Sequence, residues 1–164
     1  MKKQKPTQNP HDKLFREVIS NRENALELVQ STFPPTLTQL LDFSTFALEN
    51  TSYINDSLKE HYSDVVYQCK LNEHKVKVCL LFEHKSYVVK HPHIQLLRYM
   101  LSAWEQQLKQ KQPLQLVIPM IFYHHTAQWK VRPMYDYFGK IPSALHPFIP
   151  HLEYLLVKQV ETCY

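Results

Sequence analysis

The chain contains a single glycine, Gly139, in 164 residues. A phosphate cradle of the Walker A or G-x-G-x-x-G type needs several glycines, so nucleotide chemistry built on those loops is excluded. Turns fall instead to Asn, Asp, Ser and the 11 prolines. No apolar run approaches the ~20 residues that a helical membrane span needs. The opening Met-Lys-Lys-Gln-Lys-Pro-Thr-Gln carries charge with no apolar segment behind it, which is not the pattern of a secretory leader. The expectation is a cytoplasmic protein with no membrane partner. Cysteines number only three, Cys69, Cys79 and Cys163, an odd count without metal-ligand spacing. Cys69 and Cys79 fall on neighbouring predicted strands, but in a cytosolic chain free thiols are the expected state.

What is present is the composition of one globular domain, with 44% hydrophobic residues and enough length to bury most of its apolar surface. The net charge of +4 permits a nucleic-acid partner without demanding one, since dedicated binders show a more clustered basic bias.

Residues 1–9 read as a polar, basic arm, and 10–164 as the domain. A helix is predicted from Asp12, with Leu14, Phe15, Val18 and Ile19 as its apolar stripe and Glu17 off the stripe's centre. A second runs from Arg22 to Thr32 and stops before Phe33-Pro34-Pro35. A short amphipathic turn over 37–41 follows, then an edge strand over 43–49 and a polar loop over 50–62. The connector 86–92 leads into a helix over 93–109, where Ile94, Leu97, Leu101, Trp104 and Leu108 recur at helical spacing. Gln95 and Arg98 stand beside that stripe near the helix start. The run 113–124 reads as a central strand in which Pro119 lacks a ladder donor, which predicts a bulge or a strand end there. His124 and His125 diverge on a strand and lack further ligands, so they read as loop polarity rather than zinc ligands. Leu152 to Val157 read as a strand or short helix docking on the core.

The densest signal is Ser63 to Lys85. Two runs of β-branched and aromatic residues flank the polar Asn72-Glu73-His74, which predicts a hairpin. Antiparallel pairing about that turn sets Asp64 opposite Glu83, and period 2 gives Glu83 and Lys85 one face and His84 the other. Two carboxylates with an adjacent amine suit Mg²⁺ or Mn²⁺ and phosphate chemistry. The same residues also fit solvated strand ends with an ordinary Glu83–Lys85 salt bridge, because D…ExK is short and degenerate. Spacing alone does not decide between them.

Several segments in order do carry a resemblance: Pro10-His-Asp-Lys-Leu-Phe-Arg-Glu17, Tyr53 to Glu60, Ser63 to Tyr67, Leu80-Leu-Phe-Glu-His-Lys-Ser86, Leu96-Leu-Arg-Tyr-Met100 with Trp104, Ile118 to His124, Trp129 and Phe148-Ile-Pro150. Together they resemble the recombination-promoting nuclease, or YhgA-like transposase, family, whose N-terminal domain is similar to PD-(D/E)xK nucleases. The resemblance implies an α/β (α+β), restriction-endonuclease-like core, with a mixed central β-sheet flanked by helices at 12–32 and 93–109. It implies a Mg²⁺- or Mn²⁺-dependent DNA endonuclease linked to recombination or mobile DNA. Asp64 and Glu83 would be the metal-binding acids, joined by the backbone carbonyl of His84, and Lys85 the lysine of the ExK element. Gln95 would lie beside the site, and Glu17 is a candidate additional acid. Arg98 and Lys90 are candidates for holding DNA phosphates, and a homodimer is a candidate assembly. Relatives often carry Gln in place of Lys85, and they usually continue past the point where this chain stops. A nuclease fold that binds or assembles without cutting is the alternative.

Overall fold

The computed structural model describes residues 10–49, 65–72, 77–85 and 87–158. Helices α1 (Pro10–Ser20) and α2 (Arg22–Thr32) open the chain, followed by the single turn α3 (Pro35–Thr38). Strands β1 (Leu41–Leu48), β2 (Val65–Leu71) and β3 (Lys77–Lys85) come next, then the long helix α4 (Pro92–Lys109) and β4 (Leu116–Tyr123). Two short 3₁₀ helices, Met134–Phe138 and Ser143–Phe148, lead to β5 (Leu155–Lys158). Two of these helices have clear local causes. The Asn21 side chain accepts from the backbone N–H groups of Glu23 and Asn24 and so caps α2. Pro92 sits at the first turn of α4, where a missing N–H costs nothing.

The strands form one mixed sheet in the order β1-β2-β3-β4-β5. The β1–β2 and β2–β3 pairs are antiparallel, while β4 is parallel to β3 and β5 is parallel to β4. Helix α4 makes the crossover that a parallel pair requires. Both faces of the sheet are covered, which explains why β2 and β4 are apolar on both sides. On one face Ile19, Ala25, Val29 and Phe33 pack against Leu41, Phe46, Val65, Tyr67, Cys69, Met120 and Phe122. On the other Leu96, Tyr99, Met100 and Ala103 of α4 cover Val66, Val117, Ile121, Tyr123, Trp129 and Tyr154. The mixed α/β architecture is therefore the one expected, and Cys69 is a buried free thiol.

Three details differ from the sequence expectations. First, β4 runs through Pro119 without a bulge, with Leu81↔Pro119 in unbroken register between Leu80↔Ile118 and Phe82↔Met120. The reason lies on the opposite side of the strand. Pairing with β5 begins one residue later, at Met120↔Leu155, so Pro119 sits where that side of β4 has no ladder yet. Second, the irregularity is in β1, where Asp42 pairs with Lys70 but Ala47 with Gln68. Its loosened carbonyls are satisfied from side chains: Arg22 donates to the carbonyls of Phe46 (2.7 Å) and Phe43 (3.2 Å), and Thr45 and Cys69 to that of Asp42. Third, the recurrence Ile94, Leu97, Leu101, Trp104, Leu108 that marks α4 as a helix is not the face it buries. Leu96, Tyr99, Met100, Ala103 and Gln107 are buried instead, because they are the positions that reach the sheet. Likewise only Phe15 and Ile19 of the α1 stripe pack inward, while Leu14 and Val18 are exposed.

Candidate active site

The hairpin register that the acid pair requires is present. Strands β2 and β3 pair continuously from Lys70↔Lys77 to Val65↔Phe82. In the sequence, Asp64 immediately precedes Val65 and Glu83 immediately follows Phe82. Asp64 itself, the loop 50–62 and the centre of the turn at 73–76 lie outside the described residues. Glu83, His84 and Lys85 close β3, paired with Ile121, Phe122 and Tyr123 of β4. Ile121 and Tyr123 belong to the cluster under α4, and Phe122 to the cluster on the opposite face. Along the backbone, Glu83 and Lys85 are thus paired with residues of one cluster and His84 with a residue of the other.

The remaining candidates are distributed around this strand end. Gln95 is half-buried in the first turns of α4, and Arg98 is exposed on the outward side of that helix. Glu17 is exposed on α1, against the opposite face of the sheet, with Lys13 3.9 Å away at i−4. Such a surface pair contributes little to stability. Lys90 is exposed and lines a cavity. His125 Nδ1 accepts from the Ala127 N–H at 3.0 Å, so this ring organises its own loop as expected. Among the described residues no group of three or more His, Cys, Asp or Glu side chains is assembled for a metal ion. The expected ligand set, two carboxylates and a carbonyl, includes Asp64 and so extends beyond them. Its chemistry, oxygen donors only, is the set that Mg²⁺ or Mn²⁺ takes.

That cavity, of about 520 Å³, opens where the chain leaves β3 and β4. Its wall includes Val88 to Pro92, which follow β3, and Gln128 to Lys130 with Arg132, which follow β4. The carboxyl ends of adjacent parallel strands are where ligands bind in open α/β sheets. Lys90, Lys130 and Arg132 give the rim its sign, against one acid, Asp136. Tyr137, Tyr154 and Trp129 supply aromatic surface. Trp129 donates its indole N–H to the Tyr154 hydroxyl at 3.2 Å and meets Tyr123 edge-on, with centroids 5.0 Å apart. Burial pushes both the Tyr137 and Tyr154 phenols upward, with the Arg132 guanidinium pulling the other way.

Behind the cavity sits His93, 1% exposed, with Nδ1 2.8 Å from the Tyr137 hydroxyl. Burial holds its pKa below the ordinary histidine value, partly offset by a hydrogen bond to the Leu152 backbone. The ring is therefore neutral at pH 7, with one nitrogen donating and the other accepting. On the sequence Gln95 stands out as a site candidate, whereas His93, Lys130, Arg132 and Tyr137 do not. The available signal was His91-Pro92-His93, since Pro at a helix start places His93 in the first turn. Nothing local tells that residues 128–137 return to the same rim.

The description "Putative transposase, YhgA-like" belongs to a family whose profile matches residues 9–162. Among curated proteins, the recombination-promoting nuclease RpnD of Escherichia coli O157:H7 is 30% identical over 120 residues, which is 72% of this chain and 46% of that protein. RpnA of Escherichia coli K12, of the same description, is 33% identical over 73% of this chain and 41% of its own length. RpnE of the same strain, described as an inactive recombination-promoting nuclease-like protein, is 32% identical over 72% of this chain. The chain thus spans less than half the length of these relatives. No solved structure matches it. With nearly its whole length matched, the chain belongs to the YhgA-like putative transposase family, whose curated members include recombination-promoting nucleases.

Proposed function

We propose that the chain is a divalent-metal-dependent DNA endonuclease of the PD-(D/E)xK type, acting in recombination or on mobile DNA. The observation that supports this reading is the unbroken β2/β3 register from Lys70↔Lys77 to Val65↔Phe82, whose neighbours in the sequence are Asp64 and Glu83, at the sheet end where a basic, aromatic cavity opens. Asp64, Glu83 and the His84 carbonyl are the ligands for Mg²⁺ or Mn²⁺. A divalent ion bound there lowers the pKa of a water and offsets charge on the scissile phosphate. Lys85 orients the attacking water or stabilises the charge that develops on the phosphate oxygens. Gln95, in the first turns of α4, supports the site from the helix side. Lys90, with Lys130 and Arg132 on the same rim, holds backbone phosphates without reading sequence.

Plasmid cleavage with Mg²⁺, Mn²⁺, Ca²⁺ or EDTA tests this, with wild type beside Asp64→Ala and Lys85→Ala. The expected outcome is nicking that depends on Mg²⁺ or Mn²⁺. Both substitutions lower it at least a hundredfold, the scale on which single catalytic groups act, while most DNA affinity is kept. A second reading has its own support in the relatives described as inactive, RpnE and YjiP, the latter matched over 94% of its length. DNA binding without cleavage under any metal selects that non-catalytic reading and sinks the first.

A further inference from the structure

Helix α4 is apolar on two sides, and only one of them meets the sheet. Its outer side carries Ile94, Leu101 and Leu108 at a spacing of seven, 42%, 54% and 61% exposed, with the half-buried Leu97 and Trp104 three positions after the first two. This is a strict a/d seam over two heptads, narrower than the broad stripe of a helix packed on a sheet, and it is the pattern by which one helix seats another. The patch continues past the helix end. The Trp104 indole N–H donates to the Gln115 carbonyl at 2.8 Å, between Leu114 and Leu116, which are 55% and 52% exposed. Contiguous apolar surface of this kind marks an interaction site.

The charges beside the seam name the occupant. Arg98 and Glu105 are exposed on the same flank, each one position after a d residue, and neither makes a salt bridge with any described residue. A spacing of seven puts them two turns apart, about 10.5 Å along the axis, too far for a pair within the helix. In a second copy laid antiparallel across the first, with the two-fold axis near Leu101, the order inverts. Arg98 then lies alongside Glu105 of the second copy, and Ile94 comes level with Leu108. The two-fold repeats both contacts, so the surface is complementary to itself. A parallel arrangement leaves Arg98 level with Arg98 and offers no such match. We infer that this face of α4 is a homodimer interface, an antiparallel helix pair with Leu101 at its centre and Arg98–Glu105 pairs on its flanks. The inference stands apart from the nuclease reading.

Sedimentation velocity across a protein concentration series tests it, with far-UV circular dichroism confirming that each variant folds. Wild type should dimerise. Leu101→Glu, which places like charges at the axis on an exposed position, should be monomeric with an unchanged spectrum. Arg98→Glu alone or Glu105→Arg alone should raise the dissociation constant about tenfold, because symmetry turns two attractive pairs repulsive. The combined Arg98→Glu/Glu105→Arg variant should recover most of that loss. A monomeric wild type, as expected if a segment of another protein or of a longer form of this chain covers the face, overturns the proposal. So does a dimer indifferent to Leu101→Glu, or a double variant no better than the singles.

Discussion

His93 combines near-complete burial with a titratable ring, so its protonation is tied to folding. Burial lowers its folded pKa below the unfolded value of about 6.5. Well above pH 6.5 neither state is protonated and the residue adds no pH dependence. Below it the unfolded chain takes up a proton that the folded ring refuses, so stability falls as pH drops. The limiting slope for one proton is about 1.4 kcal/mol per pH unit, down to the depressed folded value. His93→Gln removes the titration while keeping a polar group near Tyr137. Between pH 7.5 and 5 the urea midpoint of wild type should therefore fall more steeply than that of the variant. Parallel curves would show that the ring is not what links acid to unfolding.

At the scale of elements, the end of α4 shows what a chain with one glycine must do. Lys111 N–H donates to the Leu108 carbonyl and Gln112 N–H to that of Gln107, the two bonds of a Schellman cap. The residue at the left-handed position is Lys111, with φ 55°, where an L side chain crowds its own backbone. Lys111→Gly should stabilise the protein by about 0.5–1 kcal/mol, the relieved strain less the added flexibility of the unfolded chain. Lys111→Val should cost stability by a similar amount or more. Thermal unfolding reads this as a shift of a few degrees, and a destabilised glycine variant would refute it. The end of α2 was legible because Pro34-Pro35 acts within a turn of the chain. The hairpin register was legible because a short turn leaves little freedom. The buried side of α4 was not, since both of its sides are apolar and only the position of the sheet chooses between them. The β1 irregularity was hidden for a similar reason, as its carbonyls are satisfied by Arg22, some twenty residues away. At the site, Glu83 and Lys85 could be read from an alternating strand. The cavity rim could not, because residues 88–92 and 128–137 meet only through the crossover.

For the whole molecule, the excess of 19 Lys and Arg over 15 Asp and Glu is modest, so any DNA affinity must come from where the cations stand rather than how many there are. Lys90, Lys130 and Arg132 converge on one cavity at the end of the sheet that carries the ExK strand. If that rim lies along the phosphate backbone, each cation releases about one condensed counterion on binding. The affinity of wild type for a random-sequence duplex should fall linearly on a plot of log K against log salt. Replacing all three with alanine should lower the slope by about 2.7, at about 0.9 for each B-DNA phosphate that is no longer neutralised. Affinity should drop uniformly across sequences, since these cations position the duplex and do not read it. Fluorescence anisotropy between about 50 and 200 mM salt, the range over which such binding changes most, measures the slope directly. An unchanged slope in the triple variant would place the DNA path elsewhere on the molecule, and would leave the cavity without a role in holding the strand that the hairpin acids are proposed to cut.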